Sequence, residues 1–167
     1  MPTRKSANPL EDLFTETLKD IYFAEKQILR ALPKMAKEAT SPELKEAFGK
    51  HRDETEDHVE RLNQIFDSMG RPARGKTCEA IVGIIDEAKE FMDEFKGEEQ
   101  ALDPALIASA QTVEHYEIAR YGTLKSWARD LGMGDAVKLL DQTLEEEIKT
   151  DKLLTDLAVK NVNKKAA

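Results

Sequence analysis

A single cysteine among 167 residues, Cys78, leaves no intramolecular disulfide to brace the chain and no cysteine cluster to hold a metal. Long apolar runs are missing as well, so neither a membrane span nor a signal-type stretch can be drawn, and a cytosolic location is expected. Aromatic residues make up only 6%, and the alternation of Val, Ile and aromatic side chains that marks strands is absent. The six prolines and eight glycines fall mostly between or at the ends of periodic segments. Positive charge is also scarce: 25 basic residues against 33 acidic ones give a net charge of -8, which argues against a nucleic-acid partner. Lys164-Lys165 is too short a patch for nucleic acid or membrane. No Gly-rich phosphate loop and no hydrolase motif is found. What remains has the length of one domain, residues 1–167, and can bury its own core.

What is abundant is helical periodicity, and the chain reads as all-α. A first segment is expected over residues 9–37, with Pro33 kinking its last turns or ending it early. Ser41 is a good N-cap and Pro42 a good first residue for a second segment over 42–69, closed by Gly70 in the left-handed region. After a basic loop over 71–77, a shorter crossover helix spans 78–95. Asp103 then caps a third bundle segment that Pro104 opens and that continues to 130. Gly132-Met133-Gly134 turns the chain into a fourth, ending near Val159, and the tail over 160–167 is expected to fray. Two antiparallel helical hairpins joined by a long crossover helix are the connectivity of a ferritin-like four-helix bundle.

All four bundle segments carry acid or imidazole within their apolar stripes. Glu25 lies among Phe14, Leu18, Ile21, Leu29, Leu32 and Ala36, and Glu117 among Leu106, Ala110, Val113, Tyr121, Leu124 and Ala128. Glu114 precedes Glu117 by one turn, toward the side of its stripe. On the second segment Ala47, His51, Glu54, His58, Leu62 and Ile65 share a face. On the fourth, Ala136, Leu140, Leu144, Leu154 and Ala158 surround Glu147, with Asp151 one turn on. An ionised carboxylate inside a bundle costs on the order of several kcal/mol unless its charge is compensated. A single such acid often reaches water at the boundary; acids converging from four helices point to bound metal. Iron or manganese suits carboxylate and imidazole, and two adjacent cations need several carboxylates. The candidate ligands are therefore Glu25, His51, Glu54, His58, Glu114, Glu117, Glu147 and Asp151, with Glu54 and Glu147 bridging and Glu25 and Glu117 terminal. His51 and His58 could instead hydrogen-bond the ligands. His115 projects away from its stripe, Tyr22, Tyr116 and Tyr121 read as packing, and Glu145 and Glu146 as solvated.

The stretches Asp20-Ile-Tyr-Phe-Ala-Glu25-Lys-Gln, His51-Arg-Asp-Glu54-Thr55, Val113-Glu114-His115-Tyr116-Glu117-Ile-Ala and Thr143-Leu-Glu-Glu-Glu147 together resemble the YciE/YciF family of ferritin-like bacterial proteins, over nearly the whole chain. The resemblance implies a four-helix fold, a dinuclear iron centre, a homodimer and a link to bacterial stress responses. The Glu-x-x-His motif typical of the wider ferritin and rubrerythrin group is missing: three residues after Glu54 stands Asp57, and three after Glu147 stands Thr150. Glu114-x-x-Glu117 does resemble the two-carboxylate helix of rubrerythrins. The leading expectation is a protein holding two iron ions, with manganese as the alternative metal, that oxidises iron(II) or reduces oxygen or peroxide. A metal-free structural or interaction bundle and a manganese catalase-like enzyme are the competing readings.

Overall fold

Caps and turns set the helix boundaries. In the computed structural model, which describes residues 8–167, the elements are α1 (Pro9–Glu38), α2 (Pro42–Ser68), α3 (Glu79–Glu94), α4 (Glu99–Asp130) and α5 (Gly134–Leu157), followed by a π-helical turn (Ala158–Val162) and a short α6 (Asn163–Ala166). There is no strand among the described residues. Asn8 accepts from the Glu11 N–H to start α1, and the Ser41 hydroxyl accepts from the Leu44 N–H to start α2, each ahead of a proline at the first helical position. At the end of α2, Gly70 takes φ +63, so that its N–H reaches Asp67 O and the Arg71 N–H reaches Phe66 O. Gly132, at φ +72, repeats this closure between α4 and α5, with Met133 N–H on Ala128 O.

Pro33 does not end α1, which runs to Glu38, one residue past the expected end. The ring sits on the solvent side, so the carbonyl that loses its partner is left to water instead of being stranded in the core. Nor does Pro104 open α4: the helix begins at Glu99, where Leu102 is already buried. Asp103 therefore caps nothing in its own helix. It accepts from Thr40 N–H (2.7 Å), Thr40 Oγ1 (2.8 Å) and Ser41 N–H (2.8 Å), tying the α1–α2 turn to α4. The tail stays helical to Ala166, anchored by Val162, which is buried.

α1 and α2 form one hairpin, α4 and α5 the other; α1 packs on α4 and α2 on α5, which closes the four-helix bundle. The crossover helix α3 lies outside it, against α4 and α1. One continuous apolar core links Phe14, Leu18, Leu62, Phe66, Leu124 and Leu140. That core is interrupted midway along the bundle by a layer of polar side chains.

Candidate metal centre

The buried ladder of α2 steps through His51, Thr55, His58, Leu62 and Ile65, and that of α5 through Ala136, Leu140, Thr143, Glu147, Thr150 and Leu154. Alternating steps of three and four keep a stripe against its partner helices. This spacing selects Thr55 rather than Glu54, and Thr150 rather than Asp151, for the interior. Glu54 is accordingly half-buried at the stripe's edge, paired with Lys50 at 3.4 Å and 3.7 Å from His51 Nδ1. Asp151 accepts a hydrogen bond from Gln111 (3.0 Å) and faces His115 at 3.3 Å on the outside of the bundle.

The remaining candidates converge. His51, Glu114, Glu117 and Glu147 form one group with potential ligand atoms within 4.8 Å of one another; Glu25, His58 and Glu147 form a second, and Glu147 belongs to both. His51 Nε2 lies 2.9 Å from Glu114 Oε1 and 3.7 Å from Glu147 Oε2. His58 Nδ1 lies 3.1 Å from Glu147 Oε1 and 3.4 Å from Glu25 Oε1. Glu25, Glu117, Glu147 and His58 are wholly shielded from solvent. Among the described residues, the buried side-chain atoms with no hydrogen-bond partner all belong to this layer: Glu25 Oε2, His51 Nε2, His58 Nδ1, Glu114 Oε2 and both carboxylate oxygens of Glu117 and Glu147. Buried polar atoms left unpaired are costly, and a domain carries few of them. That every one lies in a single pair of adjoining clusters fits a layer shaped around cations. The charges fit too: two divalent ions balance the four carboxylates when both imidazoles are neutral.

Protons perform this compensation in the metal-free chain. Burial, reinforced by the charge of Glu147, pushes the Glu114 and Glu117 carboxyls well above the usual range. Burial alone would depress both imidazoles, but Glu114 and the neighbouring acids raise His51 well above its ordinary value, and Glu25 and Glu147 raise His58 to about 10. Against the same burial, His58 and His51 hold Glu147 at about 2. Each proton kept on Glu114, Glu117, His51 and His58 is one that a divalent cation would displace.

The surroundings add Tyr121, which periodicity places inward as packing, and several residues that periodicity does not single out. The Tyr121 hydroxyl, buried and far from water, donates to Glu25 Oε1, and its ring meets His58 edge-on at 6.3 Å. Glu146 is not solvated as expected: it receives both guanidinium nitrogens of Arg61 (2.6 and 2.9 Å) and lies 2.9 Å from His58 Nε2. Arg61 also donates to Thr143 Oγ1 at 3.1 Å. Thr55 donates to the His51 carbonyl at 2.7 Å, and Thr150 Oγ1 lies 3.5 Å from His51 Nδ1. The outer nitrogen of each imidazole thus has an oxygen partner that fixes ring orientation, an arrangement characteristic of metal-binding histidines. For Thr55 and Thr150 the three-four spacing is the signal that could have found them; Glu146 and Arg61 meet only across the α2–α5 contact.

Residues 9–167 match the family described as a domain of unknown function, DUF892. The chain belongs to the DUF892 family. It is 48% identical to protein YciF of Escherichia coli K12 over 158 residues, covering 94% of this chain and 95% of that protein. The crystal structure of the E. coli stress protein YciF superposes with a TM-score of 0.88 at 47% identity, over 94% of this chain and 99% of that one. YcfI of Rhodopseudomonas palustris, for which a structural role has been suggested, matches with a TM-score of 0.87 at 44% identity, over 91% of this chain and 96% of that one. A Xanthomonas campestris protein shares the fold at 20% identity, with a TM-score of 0.72. No helix among the described residues is long and apolar enough to cross a membrane.

Proposed function

We propose that this DUF892 member is a cytosolic di-iron carboxylate protein, an oxidoreductase that acts on iron(II), oxygen or peroxide during stress and works as a homodimer. The observation that carries the reading is the confinement of the unpartnered buried polar atoms to two ligand groups that share Glu147. Glu147 would bridge, Glu25 and His58 would hold one ion, and His51, Glu114 and Glu117 the other. Iron bound there would supply the electrons that reduce oxygen or peroxide.

The chain's own residues account for the rest. Tyr121 orients Glu25 by its hydrogen bond, and Glu146 with Arg61 sets the orientation of His58. The apolar layers above and below exclude water, which strengthens each charge interaction inside. His51 and His58 give up protons as cations enter, so binding is coupled to pH.

Elemental analysis of protein purified without added metal, followed by anaerobic titration with iron(II), tests the proposal. Two iron ions per chain, with a matching release of protons between buffers of different ionisation enthalpy, is the expected result. Failure to bind iron would overturn it, and two manganese ions in the unsupplemented protein would replace iron by manganese in the same ligand set. Light scattering checks the dimer.

A further inference from the structure

A cavity of about 170 Å³ opens between α1, α4 and the crossover helix α3. Its walls are apolar, built from Ile28, Leu32, Ile85, Met92, Ala110 and Val113. Its inner end is not, for His51 and Glu114 reach it, paired with each other at 2.9 Å, and Glu114 Oε2 has no hydrogen-bond partner. Ser109, one turn before Val113 and also on the wall, is buried and its hydroxyl is hydrogen-bonded to no other described residue. The mouth is basic. Arg30 and Lys34 stand exposed on successive turns of α1 and make no ion pair or side-chain hydrogen bond with any described residue, while Lys89 on α3 is paired with Asp86. With Lys89 on the facing helix, Arg30 and Lys34 make the mouth locally positive although the chain's net charge is -8.

We propose that this cavity binds an amphiphile with an anionic head and a short apolar chain, in its simplest form a medium-chain carboxylate. The head sits on Arg30 and Lys34, and the chain passes Ile85 and Ala110 toward Glu114. The volume sets the size: a cavity of roughly 150 Å³ lined by aliphatic side chains accommodates benzene, so a chain of about six to eight carbons fills this one. From Gln27 to Met35 the lining follows α1 for about 12 Å at 1.5 Å per residue, long enough for such a chain. Binding itself needs no metal. That the bound chain would end at the Glu114 side of a metal centre, and so be a candidate substrate for it, rests on the di-iron reading.

Calorimetric titration of the full, metal-free chain with octanoate is the test. Saturable binding of one octanoate per chain is expected, and octylammonium, with the same chain and the opposite charge, should bind at least about tenfold more weakly. Ala31→Phe, which fills the half-buried lining of α1, should abolish octanoate binding. Reversing both exposed cations, Arg30→Glu with Lys34→Glu, should weaken it about tenfold. Absence of octanoate binding, equal binding of octylammonium, or wild-type binding by folded Ala31→Phe protein overturns the proposal. Should Ala31→Phe not fold, the charge-reversed protein decides, since its substitutions are at exposed positions. Iron(II) titration in parallel separates the two ideas. Octanoate binding without iron uptake overturns the di-iron reading alone, whereas iron uptake without octanoate binding overturns the cavity proposal alone.

Discussion

The two halves of the polar layer share Glu147 and little else. Around His58 everything is closed: the ring is wholly buried, Tyr121 and Glu25 cover one side, and Glu146 with Arg61 covers the other. Around His51 the layer is less tightly bound. Its partners are the two buried carboxyls Glu114 and Glu117 with two threonines, and its outer boundary is the cavity under α3. The contrast teaches how one bundle can build a rigid ligand group and an accessible one a few ångströms apart. A charged pair from α2 and α5 locks the first, whereas the crossover helix, packed from outside, leaves room beside the second.

The largest effect is expected where the halves meet. Glu147→Gln removes the carboxylate common to both groups and leaves His58 and His51 protonated with one fewer counter-charge. Iron stoichiometry should fall below one per chain, and the metal-free protein should lose about 3–5 kcal/mol in urea denaturation. An unchanged stoichiometry would show that the halves are not joined through Glu147.

Next comes pH. In the folded metal-free chain His58 is raised from 6.5 to about 10, so its stabilisation is fully present below about pH 6.5 and is lost as pH rises through 10. The raised carboxyls of Glu114 and Glu117 act in the same sense, stabilising while protonated and costing stability as pH climbs past their ordinary 4.5. Unfolding free energies from urea denaturation with chelator should therefore decline by a few kcal/mol from about pH 5 toward alkaline pH, whereas at lower pH Glu147, held at about 2, acts in the opposite sense. With saturating iron(II) the alkaline decline should vanish, because the ligands then have no protons left to lose, and stability should instead fall toward acid as protons compete with the cations. A flat profile for the metal-free chain would break the account of proton compensation.

Tyr121→Phe should act on the closed half only. It leaves Glu25 Oε1 without its donor, costing about 1–3 kcal/mol, and should weaken one iron of two. Equal weakening of both irons in the titration would erase the distinction between halves. Arg61→Ala is smaller, because the Arg61–Glu146 pair is partly exposed: about 1 kcal/mol or less of stability, with a roughly tenfold loss in affinity for the same iron through misorientation of His58. Thermal melts and competition with a chromophoric chelator read the two effects separately.

Much of this arrangement was legible from residue order. Ser41, Pro42 and Gly70 mark a hairpin because a side-chain acceptor, a fixed φ and a left-handed residue are local requirements that hardly depend on the rest of the fold. Glu25, Glu117 and Glu147 stand at the centres of their stripes, so 100° per residue places them inside whatever the neighbours are. Glu54 and Asp151 show where that reasoning blurs. Each lies one position from a threonine, and only the alternation of three and four along the whole helix, not a single turn of the stripe, separates the two. The prolines blurred it differently: Pro33 is compatible with an early end that α1 does not have, and Pro104 with a start that α4 makes at Glu99 instead.

By itself, then, the order of residues determined an all-helical bundle of two hairpins with acids and imidazoles from four helices at mid-height, because caps and periodicity act within one element. The tertiary structure alone decided that Glu147 is shared, that Glu146 turns back to Arg61 and His58, that Tyr121 donates to Glu25, and that a cavity lies beneath α3. Each of these needs side chains from two or more helices brought within a few ångströms, and that distance is set by packing the whole bundle.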